Sequence, residues 1–300
     1  RGSAPAQINV PRDYWTQVID IELPPIVRFE RQGGGKEAIE SAAKLLSKAK
    51  FPVILSGAGV VLGGAIDECK QLAEKLDAPV CNGYQHNDSF PGSHPLAVGP
   101  LGYNGSKAAM ELISKADVVL ALGTRLNPFS TLPGYGIDYW PKKATIIQVD
   151  MNPDRIGLTK KVSVGICGDA KQVAQQILDK LSSDAGNTGR EERKNLIHKT
   201  KSAWLQTLSG LDHEEDDPGT VWNKEARERD KDRMSPRQAW RAIQDALPQD
   251  AIISSDIGNN CAIGNAYPTF EKPRKYLAPG LFGPCGYGFP AILGAKIGCP

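Results

Sequence analysis

Between Lys36 and Leu181, short runs of continuous apolar residues alternate with segments of helical spacing. No other feature of the sequence limits the fold as much. Pro52-Val53-Ile54-Leu55-Ser56, Ala78-Pro79-Val80-Cys81, Asp117-Val118-Val119-Leu120-Ala121-Leu122 and Thr145-Ile146-Ile147-Gln148-Val149-Asp150 read as strands. A strand that is apolar at every position, not every second one, is covered on both faces. Between them, Ala38, Ile39, Ala42, Leu45, Leu46 and Ala49 fall at helical spacing, and a second helix is expected from the Gly57 turn through Leu76. Strands alternating with helices predict an α/β fold: a doubly wound, mostly parallel sheet over residues 36–181.

The flanks read differently. Ala6-Gln7-Ile8-Asn9-Val10 alternates like a strand and stops at Pro11-Arg12-Asp13. One strand buries nothing by itself, so its sheet is expected to lie elsewhere, and residues 1–25 read as the tail of another domain with a linker. Pro24-Pro25 and Gly33-Gly34-Gly35 extend that linker. At 190–233, 21 of 44 residues are charged, with both signs interspersed. That density reads as a solvated face, so 182–234 is expected to be a connector. Ser235-Pro236 then opens a helix to Leu247, with Ser as cap and Pro at the first helical position. The strand Ala251–Ser255 follows, so 235–300 is expected to be the truncated start of a further α/β domain.

Composition removes several classes of function. With 36 basic and 34 acidic residues, the net charge of +2 gives no bulk attraction for nucleic acid. No apolar run approaches the ~18–20 residues that span a bilayer, and Arg1–Pro5 holds no signal-peptide core. The six cysteines form no CxxC pair, which argues against a zinc site and leaves reduced thiols of a cytoplasmic protein as the expectation.

Two regions carry candidate chemistry. Gly57-Ala58-Gly59 follows a strand and precedes a helix, where backbone amides suit phosphate; a tight turn that needs glycine is an equal reading. Gly123-Thr124-Arg125 and Asp150 sit at the ends of neighbouring strands. Together Gly57, Gly59, Gly123, Arg125 and Asp150 outline a crevice for a nucleotide-like ligand. His86, Asp88 and His94 invite a metal reading, but their spacing and the nearby Pro91, Gly92 and Pro95 favour loop side chains that satisfy backbone groups. The second region is Ser255-Asp256-Ile257-Gly258-Asn259-Asn260 with Gly280–Pro290, which has four glycines in eleven residues. Small residues there fit either a bland turn or the close approach of a flat cofactor.

Asp256-x-Gly258 followed by Gly283-x-x-Gly286-x-Gly288-x-Pro290-Ala291 resembles the opening of the diphosphate-binding domain of thiamine-diphosphate enzymes. Phe90-Pro91-x-x-His94-Pro95-Leu96, Leu101-Gly102-x-x-Gly105, Leu122-Gly123-x-Arg125, Val149-Asp150-x-x-Pro153 and Gly168-Asp169-Ala170 resemble pieces of their central domain, and residues 1–13 the tail of their pyrimidine-binding domain. Within that superfamily, three stretches are similar to the sulfoacetaldehyde acetyltransferase branch. They are Tyr14–Asp20, Gly258–Asn265 and Leu281–Gly288.

The resemblance implies thiamine diphosphate with Mg2+ as cofactors and sulfoacetaldehyde and phosphate as small-molecule substrates. The implied products are acetyl phosphate and sulfite, formed through an acetyl group carried on the cofactor, as in sulfonate breakdown. It places Gly258, Asn259 and Asn260 against the diphosphate, with Gly286 in the same loop pair. Gly283 offers its carbonyl to the aminopyrimidine, and Cys285 stands where relatives carry a bulkier wedge under the cofactor. Catalytic glutamate and magnesium ligands are expected outside the chain, the latter beyond Pro300. This 300-residue piece is therefore expected to be inactive alone, and the intact protein to be a homodimer or homotetramer. No oxidant is required, so FAD or ADP in the central domain would be structural or vestigial. Acetolactate synthase, a pyruvate oxidase or a 2-oxoacid decarboxylase is the alternative; a noncatalytic nucleotide-binding module is the second.

Overall fold

The computed structural model describes residues 7–25, 30–211, 234–280 and 282–300. Helix α1 (Lys36–Lys48) buries Ile39, Ala42, Ala43 and Leu46 on one stripe, and leads into β1 (Pro52–Ser56). Two helices follow, α2 (Ala58–Gly63) and α3 (Ile66–Leu76). The single helix expected from the Gly57 turn to Leu76 is thus broken. The break is at Gly64, which caps α2 in the left-handed conformation (φ +67°), a geometry that ends a helix. The sheet continues with β2 (Val80–Asn82), β3 (Ala97–Pro100), β4 (Val118–Leu122), β5 (Thr145–Asp150) and β6 (Val164–Cys167), with α4 (Lys107–Ile113) before β4 and α5 (Ala170–Lys180) after β6.

All six strands are parallel, in the order β3-β2-β1-β4-β5-β6. Chain order reverses between β1 and β4, so this is the doubly wound sheet expected from the alternation. Every residue of β1 and β4 is buried, which is why both read as unbroken apolar runs. The core fills the space between the sheet and the helices on its faces, with Val53, Leu55, Val119, Leu120, Ile147 and Leu72 wholly shielded.

Helix α6 (Arg190–Leu211) lies in the charged stretch read as a connector, and it is anchored to the central domain. Arg193 is 1% exposed. Its guanidinium donates to the carbonyls of Asp77 (2.9 Å), Lys50 (2.8 Å), Thr188 (2.8 Å), Leu76 (2.9 Å) and Gly186 (2.6 Å). The desolvation this imposes lowers its basicity, but five acceptors are what the five N–H groups of a guanidinium can use. Further along α6, Trp204 and Leu208 join Ala108 of α4, Tyr267 and Trp240 in a second, smaller core.

The C-terminal part comprises α7 (Pro236–Ala246), β7 (Ile253–Ser254), α8 (Asn259–Gly264), β8 (Tyr276–Leu277) and α9 (Gly288–Gly298), with β7 and β8 parallel. Helix α7 starts as its sequence predicts. Ser235 Oγ accepts the Gln238 N–H at 3.1 Å, and Gln238 returns a carboxamide oxygen to the Ser235 N–H at 2.8 Å. The strand expected over Ala251–Ser255 is shorter, spanning Ile253–Ser254. Residues 7–10, expected to be a strand, pair with none among the described residues; Ile8 and Val10 are exposed, and a short turn follows at Arg12–Tyr14. The Gly33–Gly35 stretch, expected to be a free linker, docks beside the central domain: Gln32 accepts the N–H of Asp169 at 2.7 Å. Among the described residues no helix is long and apolar enough to cross a membrane.

Candidate functional site

Gly57, Gly59, Gly123, Arg125 and Asp150 lie at the carboxyl edge of the central sheet, where the chain order reverses between β1 and β4. This is the position at which doubly wound sheets form a ligand crevice. The glycines there lie backbone to backbone. A Cβ on Gly59 would stand 2.6 Å from the Cα of Gly123, and one on Gly57 would stand 2.6 Å from the Gly123 carbonyl oxygen. The amides of Gly57 and Gly59 donate to Leu122 (3.1 Å) and Gly123 (2.8 Å), so neither is turned toward a phosphate. Asp150 accepts the N–H of Asn152 at 2.8 Å and so caps the turn after its own strand. Arg125 is half-buried. Desolvation lowers its basicity, Arg155 adds to that, and Asp150 opposes it. His86 is pushed down to about 4, first by burial and then by Arg125, so its imidazole is neutral at pH 7. The crevice thus combines arginine charge with glycines committed to loop packing.

The loop after β2 does not gather its polar residues around a metal; it grips the C-terminal part. Asn87 donates its carboxamide N–H groups to the carbonyls of Asn265 and Pro268, both at 2.9 Å. Asp88 accepts the N–H groups of Lys275 (3.1 Å) and Tyr276 (3.4 Å). His94 turns another way, with Nε2 3.2 Å from Glu74 Oε1 and Nδ1 accepting the Leu96 N–H. Tyr84 stacks on Phe129 and brings its hydroxyl within 4.0 Å of Cys261 Sγ. Asn87 and Asp88 thus satisfy backbone groups, while His94 Nε2 and Tyr84 meet other side chains.

The second candidate region is built from two loops held side by side. β7 ends at Ser254, the chain turns through 255–258, and α8 starts at Asn259. The 283–287 loop then leads into α9. Asp256 joins them: Oδ1 accepts the N–H groups of Ile257 (2.8 Å) and Gly286 (3.0 Å), and Oδ2 accepts that of Gly288 (2.9 Å). These bonds hold its carboxyl below the usual carboxylate range. Gly258 adopts φ +121°, which an L side chain rarely takes. Gly283 packs close on Ile257, where a Cβ would meet the Ile257 side chain at 3.2 Å. Gly258, Asn259, Asn260, Cys285 and Gly286 are exposed and Gly283 is partly so; Cys285 is a free thiol. The structure thus sets the loop of Gly258, Asn259 and Asn260 beside that of Gly283, Cys285 and Gly286, through the Asp256–Gly286 bond and the packing of Gly283 on Ile257.

Asp256 and Trp240 organise this site and were not singled out as site residues. Asp256 carried a signal, since an acid between a strand end and a glycine turn is a common acceptor for backbone amides. Trp240 carried none. Its indole donates to the Asn260 carbonyl at 2.9 Å from a helix that the charged stretch separates from the core domain in sequence.

Residues 39–177 match the family model described as the thiamine pyrophosphate enzyme, central domain, and residues 256–300 the one described as the C-terminal TPP binding domain. The first match covers the six-stranded sheet, and the second begins at Asp256. The chain is 79% identical over 300 residues, all of its length, to a probable sulfoacetaldehyde acetyltransferase of Rhizobium meliloti (strain 1021), of which it covers 51%. It is 77% identical over 300 residues, again all of its length, to a sulfoacetaldehyde acetyltransferase of Roseovarius nubinhibens, of which it covers 50%. It is 32% identical over 309 residues, 99% of its length, to a probable acetolactate synthase large subunit of Methanocaldococcus jannaschii, of which it covers 48%. The chain spans about half the length of the curated relatives it matches.

Proposed function

Because this chain belongs to the thiamine pyrophosphate enzymes, with their central domain at 39–177 and part of their C-terminal domain at 256–300, we propose that it is part of a sulfoacetaldehyde acetyltransferase. The reaction takes sulfoacetaldehyde and phosphate to acetyl phosphate and sulfite. One observation carries the choice of branch. Identity to relatives of that name reaches 79% over the full 300 residues, against 32% to a relative named for acetolactate synthesis.

Thiamine diphosphate, when bound, supplies an electron sink for breaking a bond next to a carbonyl carbon. The residues of the second site fit its diphosphate. Gly258, Asn259 and Asn260 present uncharged donors on an exposed surface, and the nearby carboxylate of Asp256 is turned to three backbone N–H groups, which offset part of its repulsion of an anion. Gly286 faces open space, with no heavy atom within 4 Å of a Cβ placed there. Gly283 would offer its carbonyl to the aminopyrimidine, and Cys285 would lie beneath the rings. Mg2+ would bridge the diphosphate through ligands that the resemblance places after Pro300. A nucleotide such as FAD or ADP at Arg125 would serve structure, since the reaction is redox-neutral.

We read the whole protein as a homodimer or homotetramer, the assembly that its family resemblance implies. Six free cysteines fit a reducing, cytoplasmic setting. The test is to supply the full-length protein carrying these residues with sulfoacetaldehyde, phosphate, thiamine diphosphate and Mg2+. Equal amounts of sulfite and acetyl phosphate are expected. Carbon dioxide from pyruvate with no sulfite from sulfoacetaldehyde would transfer the reading to the acetolactate synthase type. Adenine-nucleotide binding with no response to thiamine diphosphate would transfer it to a noncatalytic module.

A further inference from the structure

We propose that Trp240 is a positioning residue for the cofactor loop, fixing the direction of the 258–260 backbone from beneath. This rests on the reading of that loop as the diphosphate site. Trp240 is 9% exposed, and its indole Nε1 donates to the Asn260 carbonyl at 2.9 Å. Its ring lies so close to α8 that a Cβ on Gly264 would come within 2.3 Å of it. The other end of the same loop is held by α8 itself. The Gly258 carbonyl accepts from the Cys261 thiol (3.3 Å) and from the Ala262 N–H (3.2 Å).

A peptide group is planar and trans, so a carbonyl held inward aims the N–H across the same bond the opposite way. Holding the Gly258 and Asn260 carbonyls therefore orients the N–H groups of Asn259 and Cys261. Trp240 is itself fixed. Its helix starts on a capping box, and its ring packs with Trp204 and Leu208 of α6, Ala108 of α4 and Tyr267. Helix α6 is fastened by Arg193 to the carbonyls around Leu76 and Asp77. A continuous packed path thus runs from the central sheet's helices through α6 and Trp240 to the candidate cofactor loop.

The test replaces Trp240 in the full-length protein with its benzothiophene analogue, β-(3-benzothienyl)alanine, which keeps the shape and removes the N–H donor. Trp240→Phe is the genetically simpler companion. Loss of one hydrogen bond predicts thiamine diphosphate binding, measured by calorimetry with Mg2+, to weaken about fivefold to tenfold. The melting temperature of the analogue protein is expected to fall by a few degrees at most. Amide hydrogen exchange across residues 256–262 of the cofactor-free protein is expected to speed up. Unchanged cofactor affinity in the analogue protein, with or without a change in melting temperature, overturns the proposal and leaves Trp240 a core residue only. If the unaltered protein binds no thiamine diphosphate, the functional reading fails instead. The exchange measurement on cofactor-free protein then decides separately whether Trp240 holds the loop.

Discussion

The carboxylate of Asp256 accepts the N–H of Gly288 at 2.9 Å, tying the turn after β7 to the first residue of a helix 32 positions further along. Its other oxygen takes Gly286 and Ile257. One side chain thus sets the separation of the two loops that carry all six candidate cofactor contacts.

Asp256→Ala removes every one of these bonds, and Asp256→Asn keeps one acceptor oxygen of the two. Thiamine diphosphate affinity of the full-length protein should fall about tenfold or more in the alanine variant and less in the asparagine one. The folded protein holds this carboxyl below its ordinary range, so its stabilising effect is present above about pH 4 and is lost as pH falls through the depressed folded value. Hydrogen exchange at 286–288, compared between neutral and strongly acidic pH after correction for intrinsic rates, checks the sign.

Arg193→Met should cost about 3 kcal/mol or more, because five buried carbonyls lose a charged donor together. Arg193→Lys should fall between, since an ammonium offers three donors and lacks the planar fork. Urea unfolding midpoints of the three proteins measure the order.

At the β1–β4 switch point, Gly123→Ala should be far more damaging than Gly136→Ala, although both glycines have positive φ (+61° and +72°). The new methyl at 123 would stand 2.7 Å from the Cα of Gly59, while nothing lies within 4 Å at 136. Expected losses are about 1 kcal/mol at 136, from backbone conformation alone, and at least twice that at 123. Thermal melts of both variants test the difference.

Asp88 gives the opposite pH signature to Asp256. Burial raises its carboxyl above the usual range, with the N–H groups of Lys275 and Tyr276 acting against that shift. A raised folded value means the folded state holds the proton more tightly, so stability declines as pH rises from about 4 through the folded value. Asp88→Asn keeps an acceptor oxygen and abolishes the buried charge. It should flatten this slope and leave stability at pH 7 equal or higher, as read from urea midpoints between pH 4 and 7.

His86 should not titrate between pH 5.5 and 8 by NMR, because burial and Arg125 hold it neutral with a pKa of about 4. Arg125→Ala should raise that value only in part, since burial is the larger cause. A full return to about 6.5 in that variant would assign the whole effect to the arginine.

The strands at the middle of the central sheet were legible because both their faces are covered. Val53–Leu55 and Val118–Leu122 are buried throughout and so read as unbroken apolar runs. The edge strand β6 escaped that reading because only Ile166 of its four residues is buried, and β3 because Gly99 and Pro100 interrupt it. The glycine pattern of 258–288 was legible for a related reason. Positive φ and close approach restrict those positions to one residue type, which leaves a mark on the sequence.

By itself, then, the sequence determined the alternating α/β plan, the glycine-marked loops of the candidate cofactor region and the likeness to thiamine-diphosphate enzymes. Burial period and glycine geometry are local constraints, written into neighbouring residues. Only the tertiary structure decided that Arg193, in a stretch dense with charge, is a buried clamp, and that Trp240 meets Asn260. It alone turned the Gly57 and Gly59 amides away from the crevice. Those outcomes depend on which distant carbonyls converge on a donor, and a partner 20 or 100 residues away imposes no spacing on the chain.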